Sequence, residues 1–117
     1  MPERDESQRG MTVDSGTQLN TNEMVWESTP SVLHGAEGKV LRDGTQDGTW
    51  TVLLRLPPGW EIRDHRHTST EERFVLAGEY TIDGVRCGAG TYQMIPAGEA
   101  HERATSAFGC ELLVRWD

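Results

Sequence analysis

The segment Gly59-Trp60-Glu61-Ile62-Arg63-Asp64-His65-Arg66-His67-Thr68-Ser69-Thr70-Glu71, running on through Glu72-Arg73-Phe74-Val75-Leu76-Ala77 to Gly78, decides the reading of this chain. His65 and His67 are two residues apart, so in a strand they project to the same side. Thr68-Ser69-Thr70 reads as a turn that returns Glu71 onto a neighbouring strand. A second segment, Gly90-Thr91-Tyr92-Gln93-Met94-Ile95-Pro96-Ala97-Gly98-Glu99-Ala100-His101, brings a third imidazole after a tight Pro96-Ala97-Gly98 turn. Three imidazoles and one carboxylate meeting inside a barrel would hold a divalent transition metal and leave room for water or substrate. The set contains the two-His-one-carboxylate face of non-haem Fe(II) oxygenases, plus one further His.

Around these segments the chain is a series of short apolar runs, most of them closed by Gly, Pro or Asp. They are Lys39–Arg42, Trp50–Leu56, Arg73–Ala77, Tyr80–Ile82, Thr91–Ile95, Ala100–Ala104 and Cys110–Trp116. Their Val, Leu, Tyr, Trp and Thr content and their breakers predict strands rather than helices. Asp83-Gly84, between Tyr80–Ile82 and Val85-Arg86-Cys87, is a two-residue hairpin signal. Many short strands with turns between them predict an all-β sandwich or barrel. Residues 1–22 carry four apolar side chains (Met1, Met11, Val13 and Leu19) and no aromatic, too few to offset ordering entropy. The expected organisation is therefore a flexible tail, 1–22, with at most a helical turn before Trp26, and one barrel domain, 23–117. Met11 is an alternative start.

Length and charge exclude several functions. At 117 residues the chain is one domain. With 35% hydrophobic and 26% charged residues it is polar, yet not so polar as to stay disordered. The net charge of −8 argues against a nucleic-acid partner, which needs clustered Lys and Arg. No run approaches the roughly 18 apolar residues of a membrane span. The charged start MPERDESQRG lacks the apolar core of a secretory signal, so a cytoplasmic location is expected. Cys87 and Cys110 are too few for a disulfide framework and read as small buried thiols.

The paired segments resemble the motifs of the cupin superfamily, small jelly-roll-like β-barrels whose metal ligands are three His and one Glu. The resemblance runs from Gly59 to His101, about a third of the chain, and implies metal ligands at His65, His67, Glu71 and His101. Gly59, Gly78, Gly90, Pro96 and Gly98 fall at the turn positions of the motifs. The family pattern commonly ends in Asn four residues after the last His, where this chain has Thr105. Only residues 79–89 separate the motifs, which marks a short member. Gly48-Thr49-Trp50-Thr51 and Leu54-Arg55-Leu56-Pro57-Pro58-Gly59 are similar to the subgroup of ChrR-type anti-sigma factors and acetylacetone-cleaving dioxygenases.

A single histidine is more often a satisfied core or surface side chain than a ligand, and His34, with no partner pattern, is read that way. Four ligand-type groups at motif spacing reverse the weighting. Arg73 shares parity with Glu71, and Arg103 with His101, so either could reach the cavity and meet a carboxylate or enolate. The alternative, arginines pairing with the protein's own carboxylates at the rim, carries equal weight. Glu72 is expected to point away from Glu71. Tyr92 and Met94 are expected to line the cavity, Trp60 to sit near its mouth, and Trp50 and Trp116 to serve packing. The expected function is a mononuclear metal enzyme, an Fe(II)-dependent dioxygenase acting on a small enolisable ketone or diketone. Its rivals are a metal-dependent isomerase or lyase and a non-catalytic sensing module. Residues 1–22 hold no Cys or His, which weighs against a zinc-bearing sigma-binding segment there. His and Glu would equally accept Zn, Mn, Ni or Cu. The expected partners are a small-molecule substrate and a second copy of the chain. Leu112, Leu113, Val114 and Trp116 supply an apolar C-terminal strand and Trp26 begins another near the N-terminus, so a symmetric homodimer that covers them is expected.

Overall fold

The alternation of Val52, Leu54 and Leu56 with Leu53 and Arg55 builds one wall of the molecule, and Leu112 with Val114 builds the wall beside it. In the computed structural model, which describes residues 16–29 and 33–117, these are strands β3 (Trp50–Leu56) and β9 (Cys110–Trp116). They pair antiparallel, Val52 opposite Val114 and Leu54 opposite Leu112, so all four side chains point into one core and are at most 1% exposed. Each such burial contributes about 1.5–3 kcal/mol. The remaining strands are β1 (Glu27–Ser28), β2 (Glu37–Asp43), β4 (Trp60–Arg66), β5 (Glu71–Ile82), β6 (Val85–Gly88), β7 (Tyr92–Ile95) and β8 (Ala100–Ser106). The side chains at 64–66 and 101–102 lie outside the described residues.

The strand order is β1-β2-β3-β9-β5-β8-β4, with β6 and β7 also paired to β5 and every pairing antiparallel. The result is an all-β antiparallel sheet curled around an apolar core, the barrel-like form that the resemblance implies. No helix among the described residues is long and apolar enough to cross a membrane.

Strand β5 joins the two halves. Residues 71–78 pair with β9, and residues 79–82 pair with β6. A bulge between Val75 and Ala77 bends the strand, and it fuses the two runs expected at 73–77 and 80–82 into one element. Gly78 allows that bend. Its φ is +75°, and a Cβ there would lie 2.3 Å from the Gly109 carbonyl oxygen. The Asp83-Gly84 turn closes the β5–β6 hairpin as expected, with both residues at positive φ.

Two expectations are corrected. The 67–70 connection does not fold Glu71 back beside β4: β8 lies between β4 and β5, and Glu71 pairs with Ile95 of β7 and Trp116 of β9. Trp60 is not at a cavity mouth: it is buried in the core, and its Nε1 donates to the His34 carbonyl at 2.9 Å. Trp50 and Trp116 serve packing, their rings stacked 5.6 Å apart and 2° from parallel. His34 is exposed in a turn. At the N-terminal side, residues 1–15 lie outside the described residues. Thr21–Glu23 forms a single 3-10 turn whose Thr21 carbonyl accepts from Lys39 Nζ at 2.6 Å.

Candidate metal centre

His67 follows β4, and its backbone is clamped by the turn that leads into β8. Its N–H donates to the Glu99 carbonyl at 3.1 Å, and its carbonyl accepts from Gly98 N–H at 2.8 Å. Gly98 supplies the positive φ, +88°, that this tight turn requires. His67 Nδ1 lies 2.7 Å from Glu71 Oε1, with the two side chains 9% and 15% exposed. Glu71 opens β5, and Arg73 stands two residues along on the same inward face. Arg73 Nη2 donates to the same Oε1 at 3.2 Å, and Nη1 donates to Tyr80 Oη at 3.1 Å. The Tyr80 hydroxyl donates in turn to Gln93 Oε1, which the register places opposite Arg73.

The electrostatics follow from this chain of contacts. Burial would raise the Glu71 pKa, but the His67 hydrogen bond and the Arg73 guanidinium outweigh it and hold the carboxyl below its usual range. Arg73 is pushed further up despite its burial, chiefly by Glu71 and then by Tyr80. Burial raises the Tyr80 hydroxyl, with Arg73 opposing. The interior thus holds an ionised carboxylate, a guanidinium and a neutral phenol in contact.

Among the described residues, His67 and Glu71 are the ligand-type pair that meets, and no group of three is found. The side chains of His65 and His101 lie outside the described residues. Their backbones are direct cross-strand partners on β4 and β8. Ile62 packs on the core, yet His67, five residues on, is also turned inward. In a regular strand these two would face opposite sides. The inward parity therefore changes from even to odd between them.

Arg73 is buried and pairs with the protein's own Glu71. Arg103 is exposed and its Nε pairs with Glu61 Oε2 at 3.0 Å, which makes it a rim arginine serving the protein's own acid. Tyr92 and Met94 lie on the outer face, where Tyr92 Oη donates to Glu72 Oε1 at 3.0 Å. Glu72 points away from Glu71 as expected and also takes Arg115 at 3.1 Å. Tyr80 and Gln93 received no site role in the sequence reading. The available signal was Gln93, a polar residue at the inward parity of Ile95. A separate cavity of about 680 Å³ lies between Pro57-Pro58 and Phe108-Gly109, away from the His67–Glu71 pair.

The ChrR cupin-like domain family matches residues 14–116. This chain belongs to that family. No curated protein matches it in sequence. Among solved structures it resembles an acetylacetone dioxygenase from Acinetobacter johnsonii, with a TM-score of 0.71 and 16% identity over 99% of this chain and 80% of that one. The polyketide cyclase RemF from Streptomyces resistomycificus superposes with a TM-score of 0.71 at 17% identity, covering 86% and 78% of the two chains. The Rhodobacter sphaeroides SigE complex with the anti-sigma ChrR gives 0.67 at 23% identity over 84% of this chain. There this cupin-like domain spans about half, 52%, of the matched chain. These likenesses establish the fold alone.

Proposed function

We propose that this ChrR cupin-like domain is a mononuclear metal protein whose ligands are His65, His67, Glu71 and His101, and that it works as an Fe(II)-dependent dioxygenase on a small enolisable ketone or diketone. The observation that carries the reading is the buried His67–Glu71–Arg73 contact at the motif positions. His67 Nδ1 and Glu71 Oε1, 2.7 Å apart, set an imidazole and a carboxylate side by side in the interior. The donor set of imidazoles and a carboxylate suits iron, manganese, nickel, zinc or copper. When bound, Fe(II) would supply Lewis acidity toward a ketone oxygen and the ability to use O2.

The chain's own residues prepare that site. Arg73 keeps Glu71 ionised and so available as a ligand. Tyr80, fixed between Arg73 and Gln93, holds the guanidinium in place. Burial of the Glu71–Arg73 contact keeps bulk water from screening it. The likeness to the acetylacetone dioxygenase supports the substrate class. The test is O2 uptake by protein loaded with Fe(II) without air and then given β-diketones in air. Uptake with Fe(II) and none with Zn(II) is expected. Equal product with both metals points to an isomerase or lyase.

Family membership favours one second reading, a ligand-sensing module as in ChrR. Stoichiometric zinc and no turnover with any metal would support it. In either case we place the protein in the cytoplasm as a symmetric homodimer. The apolar residues earlier assigned to the dimer face belong largely elsewhere: Leu112 and Val114 are core, and Trp116 stacks on Trp50. The exposed apolar surface is instead Phe74, Leu76, Tyr92 and Met94, each 41–58% exposed on neighbouring β5 and β7. Register continues that face through half-buried Leu113, which lies opposite Phe74.

A further inference from the structure

Arg73 carries more donors than its described partners use. A guanidinium has five N–H groups, and here Nη1 goes to Tyr80 and Nη2 to Glu71. Nε is fully buried and has no hydrogen-bond partner among the described residues, in a residue only 5% exposed. Buried polar groups are almost always paired, and a charged one left unpaired is costly. The charge count points the same way. Among the described residues Arg73 is balanced by Glu71, and its other neighbours there, Tyr80 and Gln93, are neutral. Once Glu71 also serves a divalent ion, the three charges sum to about +2 (2 + 1 − 1). A low-dielectric interior with that excess favours an anion over its neutral analogue.

We propose that Arg73 selects the ligand of this site, and that the ligand is a small organic anion whose carboxylate or enolate oxygen the Nε edge of Arg73 receives. The inference rests on the metal-centre reading above. Its rival is that Arg73 only balances Glu71.

The experiment measures ligand binding by calorimetry to Zn(II)-loaded protein, where no turnover intervenes. The probes are 4-oxopentanoate for a carboxylate, acetylacetone above its pKa for an enolate, and methyl 4-oxopentanoate as the neutral control. Wild-type protein should bind at least one anion about tenfold or more tightly than the ester. Arg73→Gln should bring that ratio close to one when affinities are compared per bound zinc, the zinc being counted by elemental analysis. Arg73→Lys keeps the balancing charge but lacks Nε, so it should lose at least threefold of the preference and serves as the deciding variant if Arg73→Gln does not fold. An anion preference that survives in Arg73→Lys, or is absent from zinc-loaded wild type, overturns the inference alone. Wild-type protein that takes up no metal overturns the metal-centre reading, and the inference with it.

Discussion

Replacing Glu71 by Gln in metal-free protein isolates what the carboxylate does for the fold. The substitution keeps shape and one acceptor oxygen but removes the charge that faces Arg73, which is 5% exposed. Arg73 Nη2 and Glu71 Oε1 are 3.2 Å apart, and at an effective dielectric of about 20, unit charges about 4 Å apart interact by about 4 kcal/mol. Breaking a buried pair by removing one partner costs about 3–5 kcal/mol. The retained amide oxygen offsets part of this, so a loss of about 3 kcal/mol is expected. For a domain of this size that is a fall of about 12 °C in Tm. Urea denaturation with EDTA present, run as a cycle of Glu71→Gln, Arg73→Met and the double variant, should give a coupling of about 2 kcal/mol. The pH dependence has a fixed sign. Glu71 titrates below 4.5 in the fold, so its contribution is present above about pH 4.5 and fades as pH falls through the lower folded value. The gap between wild type and Glu71→Gln should therefore close in acid. A coupling below about 0.5 kcal/mol, or a gap unchanged from pH 7 to pH 3, would refute the reasoning.

Gly78→Ala should destabilise by at least about 2 kcal/mol, because left-handed strain and overpacking against the Gly109 carbonyl act together; a loss below about 0.5 kcal/mol in urea would show that the β5 bend does not need glycine. Burial first, then Cys87 and nearby carboxylates, push the Cys110 thiol up to about 11. Cys110 should thus resist alkylation at pH 8. Its contribution to stability should be whole below about pH 9 and lost as pH rises toward 11, a decline that Cys110→Ala should reduce and that mass spectrometry and denaturation can follow. Sedimentation should show a dimer at micromolar concentration and a monomer for Phe74→Glu, whereas a monomeric wild type would remove the proposed interface.

Strands β3 and β9 were legible to the residue because each is a compact apolar run, β3 stopped by Pro57-Pro58 and β9 opened after Gly109. The Asp83-Gly84 hairpin was legible for an equally local reason. The partner of β4 was not, since β4 and β8 meet across some 40 residues of chain and nothing local specifies that pairing. In the site, Glu71 and Arg73 could be placed together because they lie on one side of the β5 bulge. Tyr80 could not be joined to them by counting. It is seven residues from Arg73, opposite in a regular strand, and the bulge between Val75 and Ala77 restores it to the same interior. Tyr92 and Met94 were given the wrong face for a related reason: pairing of Arg73 with Gln93 turns the odd residues of β7 inward.

Elemental analysis of protein purified without added metal tests the central claim most directly. The account predicts about one transition-metal ion per chain, iron where it works as the dioxygenase. Removal of that ion by a chelator should lower the Tm, since a ligand bound only to the folded state stabilises it. His101→Ala should lose both the metal and the chelator effect while remaining folded. Wild-type protein without metal even after incubation with Fe(II) and Zn(II), or a His101→Ala variant with full occupancy, would contradict the proposed ligand set.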